Sequence, residues 1–152
     1  MTIKVVIADD HEVVRKGLVE IFQGSGIEIL DQACNGQEAY EKTVAVKPDV
    51  LLLDVRMPDA DGIQALSRLK AESHKTQVVV LSTYDSPTYV ARAVALGAKD
   101  YVLKNASPDE LIQVVRRVAG GGEPGPESLF MRVQSMMSTR ENQREGVQLT
   151  NR

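Results

Sequence analysis

Val50-Leu51-Leu52-Leu53-Asp54 is an apolar run that stops abruptly on a carboxylate, and Val55-Arg56-Met57-Pro58-Asp59-Ala60-Asp61-Gly62 follows it. So short and unbroken a run reads as a buried parallel strand that delivers Asp54 to its carboxyl-terminal rim. In parallel α/β sheets, ligands and chemistry gather at that rim, which makes Asp54 the candidate reactive group. The competing reading is a loop aspartate capping the next helix, a position that Asp favours.

Working outward, Ile3–Ala8 is a β-branched, almost wholly apolar run that ends in Asp9-Asp10-His11-Glu12, as a central parallel strand would. Val14, Leu18, Ile21 and Phe22 recur at helical spacing, and Gly24-Ser25-Gly26 closes that helix. Ile27–Cys34 is a more polar strand, expected at the sheet edge. Asn35-Gly36-Gln37-Glu38 has the form of a capping box opening a helix to about Val46, with Lys47-Pro48 as its stop.

Beyond Asp54, Asp61-Gly62-Ile63-Gln64 again has a capping pattern, and Ile63, Leu66 and Leu69 supply a buried helix face. Gln77–Leu81 forms a fourth strand ending in Ser82-Thr83, followed by a helix with Ser86 as cap, Pro87 at its first position and Gly97 at its end. Tyr101–Leu103 is a fifth strand, carrying Lys104 to the rim. Ser107-Pro108-Asp109-Glu110 caps a last helix with Leu111, Val114, Val115 and Val118 on its core face. Alternating strands and helices predict a doubly wound α/β domain with a five-stranded parallel sheet, order 2-1-3-4-5, and helices on both faces. Strands 1 and 3 then lie side by side at the topological switch point, bringing Asp9, Asp10 and Asp54 together.

The 152 residues accommodate one domain, assigned to 1–120, and a short appendage, 121–152. Gly120-Gly121-Gly122-Glu123-Pro124-Gly125-Pro126 reads as a linker, and Leu129, Phe130, Val133, Met136 and Met137 as a short amphipathic helix. A net charge of -3 offers no general attraction for nucleic acid or anionic membrane. No apolar run approaches the ~20 residues of a membrane span, and no leader opens the chain. One cysteine, Cys34, precludes an internal disulfide or thiolate metal cluster and reads as a buried structural thiol in a reducing cytoplasm.

Three carboxylates crowded at one low-dielectric rim repel one another unless a cation neutralises them. An all-oxygen donor set favours Mg2+, which retains waters and accepts a phosphate. His11 is a lone histidine and reads as solvent-facing. A metal-bound carboxylate nucleophile with a hydroxyl, Ser82, and an ammonium, Lys104, describes phosphoryl transfer to aspartate. Taken singly, Asp9 and Asp10 could be helix caps, Ser82 a strand-end hydrogen bonder and Lys104 a solvated charge. Those readings do not account jointly for acids after strands 1 and 3, a hydroxyl after strand 4 and a lysine after strand 5.

This constellation, Asp9-Asp10, Asp54 in Asp-Val-Arg-Met-Pro-Asp-Ala-Asp-Gly, Ser82 and Tyr101-Val-Leu-Lys104, resembles the receiver domain of two-component response regulators over residues 1 to about 120. The opening Val-Val-Ile-Ala-Asp-Asp-His-Glu is most similar to the NarL/LuxR-type subfamily. The resemblance implies a flavodoxin/CheY-like fold and a sensor histidine kinase as phosphodonor to Asp54. It implies Mg2+ held by Asp10, Asp54 and the backbone carbonyl of Arg56, with Asp9 acting through water. Ser82 would be the switch hydroxyl, Lys104 the phosphoryl counter-ion and Tyr101 the aromatic that changes rotamer. Such a chain would promote its own phosphorylation and dephosphorylation without being a turnover enzyme, and its switch would favour a phosphorylation-dependent homodimer or release of an output domain.

DNA binding would belong to a helix-turn-helix domain after Leu149-Thr150-Asn151-Arg152, so the chain reads as a fragment cut at that threshold. Two features depart from many receivers: Asn105 rather than proline follows Lys104, and Thr83 stands where a smaller residue is common. The alternative function is a receiver-fold interaction module that is never phosphorylated. A nucleotide-binding flavodoxin-like protein would want phosphate-binding glycines after strand 1 in place of Asp9-Asp10-His11-Glu12. A haloacid-dehalogenase-type phosphatase would want a second Asp at position 56, which is arginine.

Overall fold

The computed structural model describes residues 2–55, 62–72, 74–83, 85–125 and 128–138. Five strands, β1 (Ile3–Ala8), β2 (Ile27–Ala33), β3 (Val50–Leu53), β4 (Gln77–Ser82) and β5 (Asp100–Leu103), alternate with α1 (Glu12–Phe22), α2 (Gly36–Val46), α3 (Gly62–Ala71), α4 (Pro87–Ala95) and α5 (Pro108–Ala119). A sixth helix, α6, spans residues 129–138. The sheet order is β2-β1-β3-β4-β5, and every pairing is parallel. Parallel neighbours need crossovers over a sheet face, which the alternating helices supply.

Because strand side chains alternate in direction, the sheet presents two apolar faces. Val6, Ala8, Leu51, Leu53, Val78, Val80 and Tyr101 belong to one core, with Ala39 of α2, Leu66 and Leu69 of α3, and Val90 and Ala93 of α4. Val5, Ile7, Val50, Leu52, Val79, Leu81 and Val102 belong to the other, with Leu18 and Phe22 of α1 and all four predicted residues of α5. Strand β3 is buried on both faces, which is why its sequence is continuous rather than alternating. Polar β2 lies at an edge, as expected.

Local signals acted unevenly. Asn35 Oδ1 accepts the Glu38 N–H at 2.8 Å, but the Glu38 carboxylate reaches back to the N–H of Cys34 rather than of Asn35. Ser107 caps α5 by accepting the Glu110 N–H at 3.2 Å. Ser86 holds the cap position of α4 without a side-chain cap bond, leaving Pro87 as the structural signal there. The Asp61 capping pattern lies outside the described residues. Cys34 is a correction: it is exposed, because β2 ends at Ala33 and the thiol falls past the strand, where Sγ donates to Glu38 Oε2 at 3.3 Å.

Helix α6 is seated on the sheet. Phe130 and Val133 are buried in the same core as Tyr101, and Leu129, Met131 and Met137 pack against it. The clefts flanking α6 are lined by Val94 and Ala98 on one side and by Tyr101 and Arg117 on the other, so the helix runs beside the outer edge of β5. Among the described residues, no helix is long and apolar enough to cross a membrane.

Candidate functional site

Strand register brings the predicted residues to one rim. Ala8 pairs with Leu53, so Asp9 and Asp54 leave adjacent strands at the same level. Backbone hydrogen bonds continue each ladder one step beyond the strand. The Asp9 N–H donates to Ala33 at 3.0 Å, that of Asp54 to Ala8 at 2.9 Å, and that of Lys104 to Ser82 at 2.8 Å. The carboxylates and the ammonium therefore stand on hydrogen-bonded backbone. Gly62 adds a further constraint, because a Cβ there would lie 2.2 Å from the Asp54 carbonyl oxygen and 2.6 Å from Val55 Cα. Only a residue without a side chain lets α3 approach the base of the site so closely.

Asp9, Asp54 and Ser82 are buried. Lys104 Nζ lies 2.7 Å from Asp9 Oδ2 and 3.0 Å from Asp54 Oδ2, bridging the two strands' acids. Burial by itself would draw the Lys104 ammonium below its ordinary range. Hydrogen bonds and charge from Asp9 and Asp54 outweigh that, and its pKa stands above the usual lysine value. Asp10 is the more open acid, with a side chain 25% exposed. Arg15 on α1 donates to the Asp9 carbonyl at 2.6 Å and braces the loop that carries both acids.

Asp9 and Asp10 are not caps of α1. The N-cap position is His11, which makes no side-chain cap bond, and Asp9 Oδ1 instead accepts the His11 N–H at 2.8 Å. His11 faces solvent, as expected, yet its ring also turns toward the acids, with Nδ1 2.9 Å from Asp10 Oδ1 and 3.2 Å from Asp9 Oδ1. That contact was not legible in a lone histidine following two acids.

At the far side of the rim, Ser82 hydrogen-bonds Tyr101. This bond favours the phenolate, but burial dominates and raises the Tyr101 pKa. Tyr101 is only 6% exposed and belongs to the core. The residues expected to form the switch are thus in contact, with the ring turned inward. Asp100 was missed altogether: it is buried and paired to Arg117 Nη2 of α5 at 2.6 Å. Asp100 preceding Tyr101 gives no signal of its own, since its partner lies one helix later. Arg56 lies outside the described residues. Thr83 is exposed, and no cis peptide occurs among the described residues.

Asp9, Asp10, His11 and Asp54 each offer an atom within 4.8 Å of the others. Asp10 Oδ1 is buried without a hydrogen-bond donor, with His11 Nδ1 2.9 Å away. One ammonium against three carboxylates leaves the cluster anionic, so these residues fit a divalent ion of the oxygen-loving class.

Order 2-1-3-4-5 with an acidic pocket at the switch point defines the class, a CheY-like doubly wound α/β unit. The model of the response regulator receiver domain matches residues 5–116, and the chain belongs to that family. The chain is 43% identical over 119 residues to the uncharacterized transcriptional regulatory protein YhcZ of Bacillus subtilis, spanning 78% of this chain and 55% of that one. It is 33% identical over 146 residues to the transcriptional regulatory protein LnrK of the same organism, spanning 95% of this chain and 66% of that one. Among solved structures it superposes on the signal receiver domain of NarL from Mycobacterium tuberculosis, with a TM-score of 0.76 and 33% identity, covering 79% of this chain and 98% of that domain. The chain thus spans between half and two thirds of the length of these curated relatives.

Proposed function

We propose that this chain is the phosphoacceptor unit of a two-component relay, taking a phosphoryl group from the phosphohistidine of a sensor histidine kinase onto Asp54. A carboxylate oxygen of Asp54 attacks phosphorus in line as the bond to the donor imidazole breaks. The electron pair returns to that ring nitrogen, which takes up a proton. When bound, Mg2+ would supply charge neutralisation for the phosphoryl oxygens, and Asp10, Asp54 and the Arg56 carbonyl, with Asp9 through water, would be the groups to hold it. Lys104 then leaves its bridge to meet the new anion, and Ser82 donates a hydrogen bond to it.

The observation that carries this reading is the bridge itself. A half-buried ammonium shared by Asp9 and Asp54 supports it, because positive charge would be needed there once Asp54 is modified. Through the Ser82–Tyr101 bond, the event would change the surface formed by α4, β5 and α6, biasing self-association. In a longer protein of the relatives' kind, DNA contact would fall to a C-terminal domain. This reading places the chain in the cytoplasm.

Intact mass with a small phosphoramidate donor tests it. The expected outcome is one phosphoryl group gained in Mg2+ and none with the metal chelated or in Asp54→Asn. If the wild-type chain takes up none, or Asp54→Asn takes up one at the same rate, the reading is overturned, and failure of the wild type leaves the interaction-module alternative.

A further inference from the structure

Resting on the reading of the Asp9, Asp10 and Asp54 rim as a cation site, we propose that His11 is a further donor, whose imidazole shifts the site from Mg2+ toward Mn2+, Co2+ or Zn2+. An all-oxygen site suits Mg2+, whereas an imidazole nitrogen suits the later first-row ions. The position of the ring argues for this role. His11 is the N-cap residue of α1, with extended backbone (φ -99, ψ 114), and its ring is not used as a cap. Its N–H is tied to Asp9 Oδ1 at 2.8 Å, which fixes the backbone from which the ring projects.

The spacing suits coordination. Ligands in adjacent octahedral positions about 2.1 Å from an ion lie roughly 3.0 Å from one another. Nδ1 of His11 stands 2.9 Å from Asp10 Oδ1, so one edge length of such a polyhedron is present before an ion arrives, while Asp9 Oδ1, which would act through water, lies 3.2 Å from the same nitrogen. Asp10 Oδ1, buried and without a hydrogen-bond donor, faces that nitrogen. The ring is 66% exposed and has room to adjust when the ion enters. The other histidine, His74, lies away from the rim against Tyr40 and Glu72.

A ring that merely donates a hydrogen bond to the acids has the same distances, and metal selectivity separates the two roles. Any oxygen site also follows the general affinity order, so the decisive quantity is how the Mn2+ to Mg2+ affinity ratio changes when the ring is removed. Calorimetric titration of the full chain with Mg2+, Mn2+ and Co2+, for wild type, His11→Ala and Asp10→Ala, measures it. Pulsed electron paramagnetic resonance of the Mn2+ complex adds a direct test for 14N coupling. His11→Ala is expected to lose about tenfold or more in Mn2+ and Co2+ affinity and less in Mg2+ affinity, so that the Mn2+ to Mg2+ ratio falls, and to lose the 14N coupling expected of the wild type. Equal affinities in wild type and His11→Ala, or a wild-type complex without 14N coupling, overturn the proposal while Asp10→Ala still shows the oxygen site to be real. A wild-type chain that binds none of the ions overturns both this proposal and the cation-site reading beneath it.

Discussion

Lys104 occupies the space between two buried carboxylates, and that gives it a structural role. Its side chain is 16% exposed, against 1% for Asp9 and 6% for Asp54. Removing one partner of a buried charge cluster leaves the others uncompensated, at a cost of about 3 kcal/mol. Lys104→Met should therefore lower the thermal midpoint at neutral pH, and added Mg2+ should restore most of the loss by neutralising the same acids. Calorimetry with and without the metal checks this, and a variant as stable as wild type in chelator would refute it. The pH sense follows from the raised Lys104 pKa. Its contribution is complete below the unfolded lysine value, about 10.4, and is lost only as pH rises through the higher folded value.

At the level of elements, the Asp100–Arg117 pair locks β5 to α5 beside the residues that bear Tyr101. Burial raises the Asp100 pKa, although the Tyr101 N–H at 2.7 Å and the Arg117 charge both pull it down. An acid with a raised folded value favours the protonated native state, so its stability contribution falls as pH rises through that value. Arg117→Met removes the compensating cation and should cost roughly 2 to 3 kcal/mol at pH 7. The deficit should shrink as pH falls and Asp100 takes up its proton. Denaturant unfolding at a series of pH values measures the gap, and a gap independent of pH would mean that Asp100 is not the group left uncompensated.

Over the whole molecule, α6 ties the segment after Gly120 to the core that holds Tyr101. Burying Phe130 and Val133 stabilises the docked helix by roughly 2 kcal/mol each before the ordering cost. Phe130→Ser should therefore release α6 while the parallel sheet stays folded. Amide exchange is expected to quicken across 129–138 and along Val94–Tyr101, with the protection of β1 and β3 retained. Unchanged protection in 129–138 would show that the helix does not depend on this contact.

Most of the architecture was written in local pattern. Continuous apolar runs define β1, β3 and β4, helical spacing places Leu18, Leu66 and Val115 inward, and the order of rim residues after successive strands marked Asp9, Asp54, Ser82 and Lys104. These features were readable because strand and helix periods depend on near neighbours, and because parallel α/β topology sends every strand end to the same rim. Contacts between residues distant in the chain were decided only by the tertiary structure. The Lys104 bridge across 50 residues to Asp54, the Asp100–Arg117 pair, the turn of His11 toward Asp10 and the seating of Phe130 beside β5 all depend on which surfaces meet after folding. Cys34 makes the same point in reverse: an apolar neighbourhood in sequence suggested burial, but the strand ended one residue earlier and left the thiol in solvent. Burial belongs to the packed surface, and sequence specifies it only where the periodic element continues.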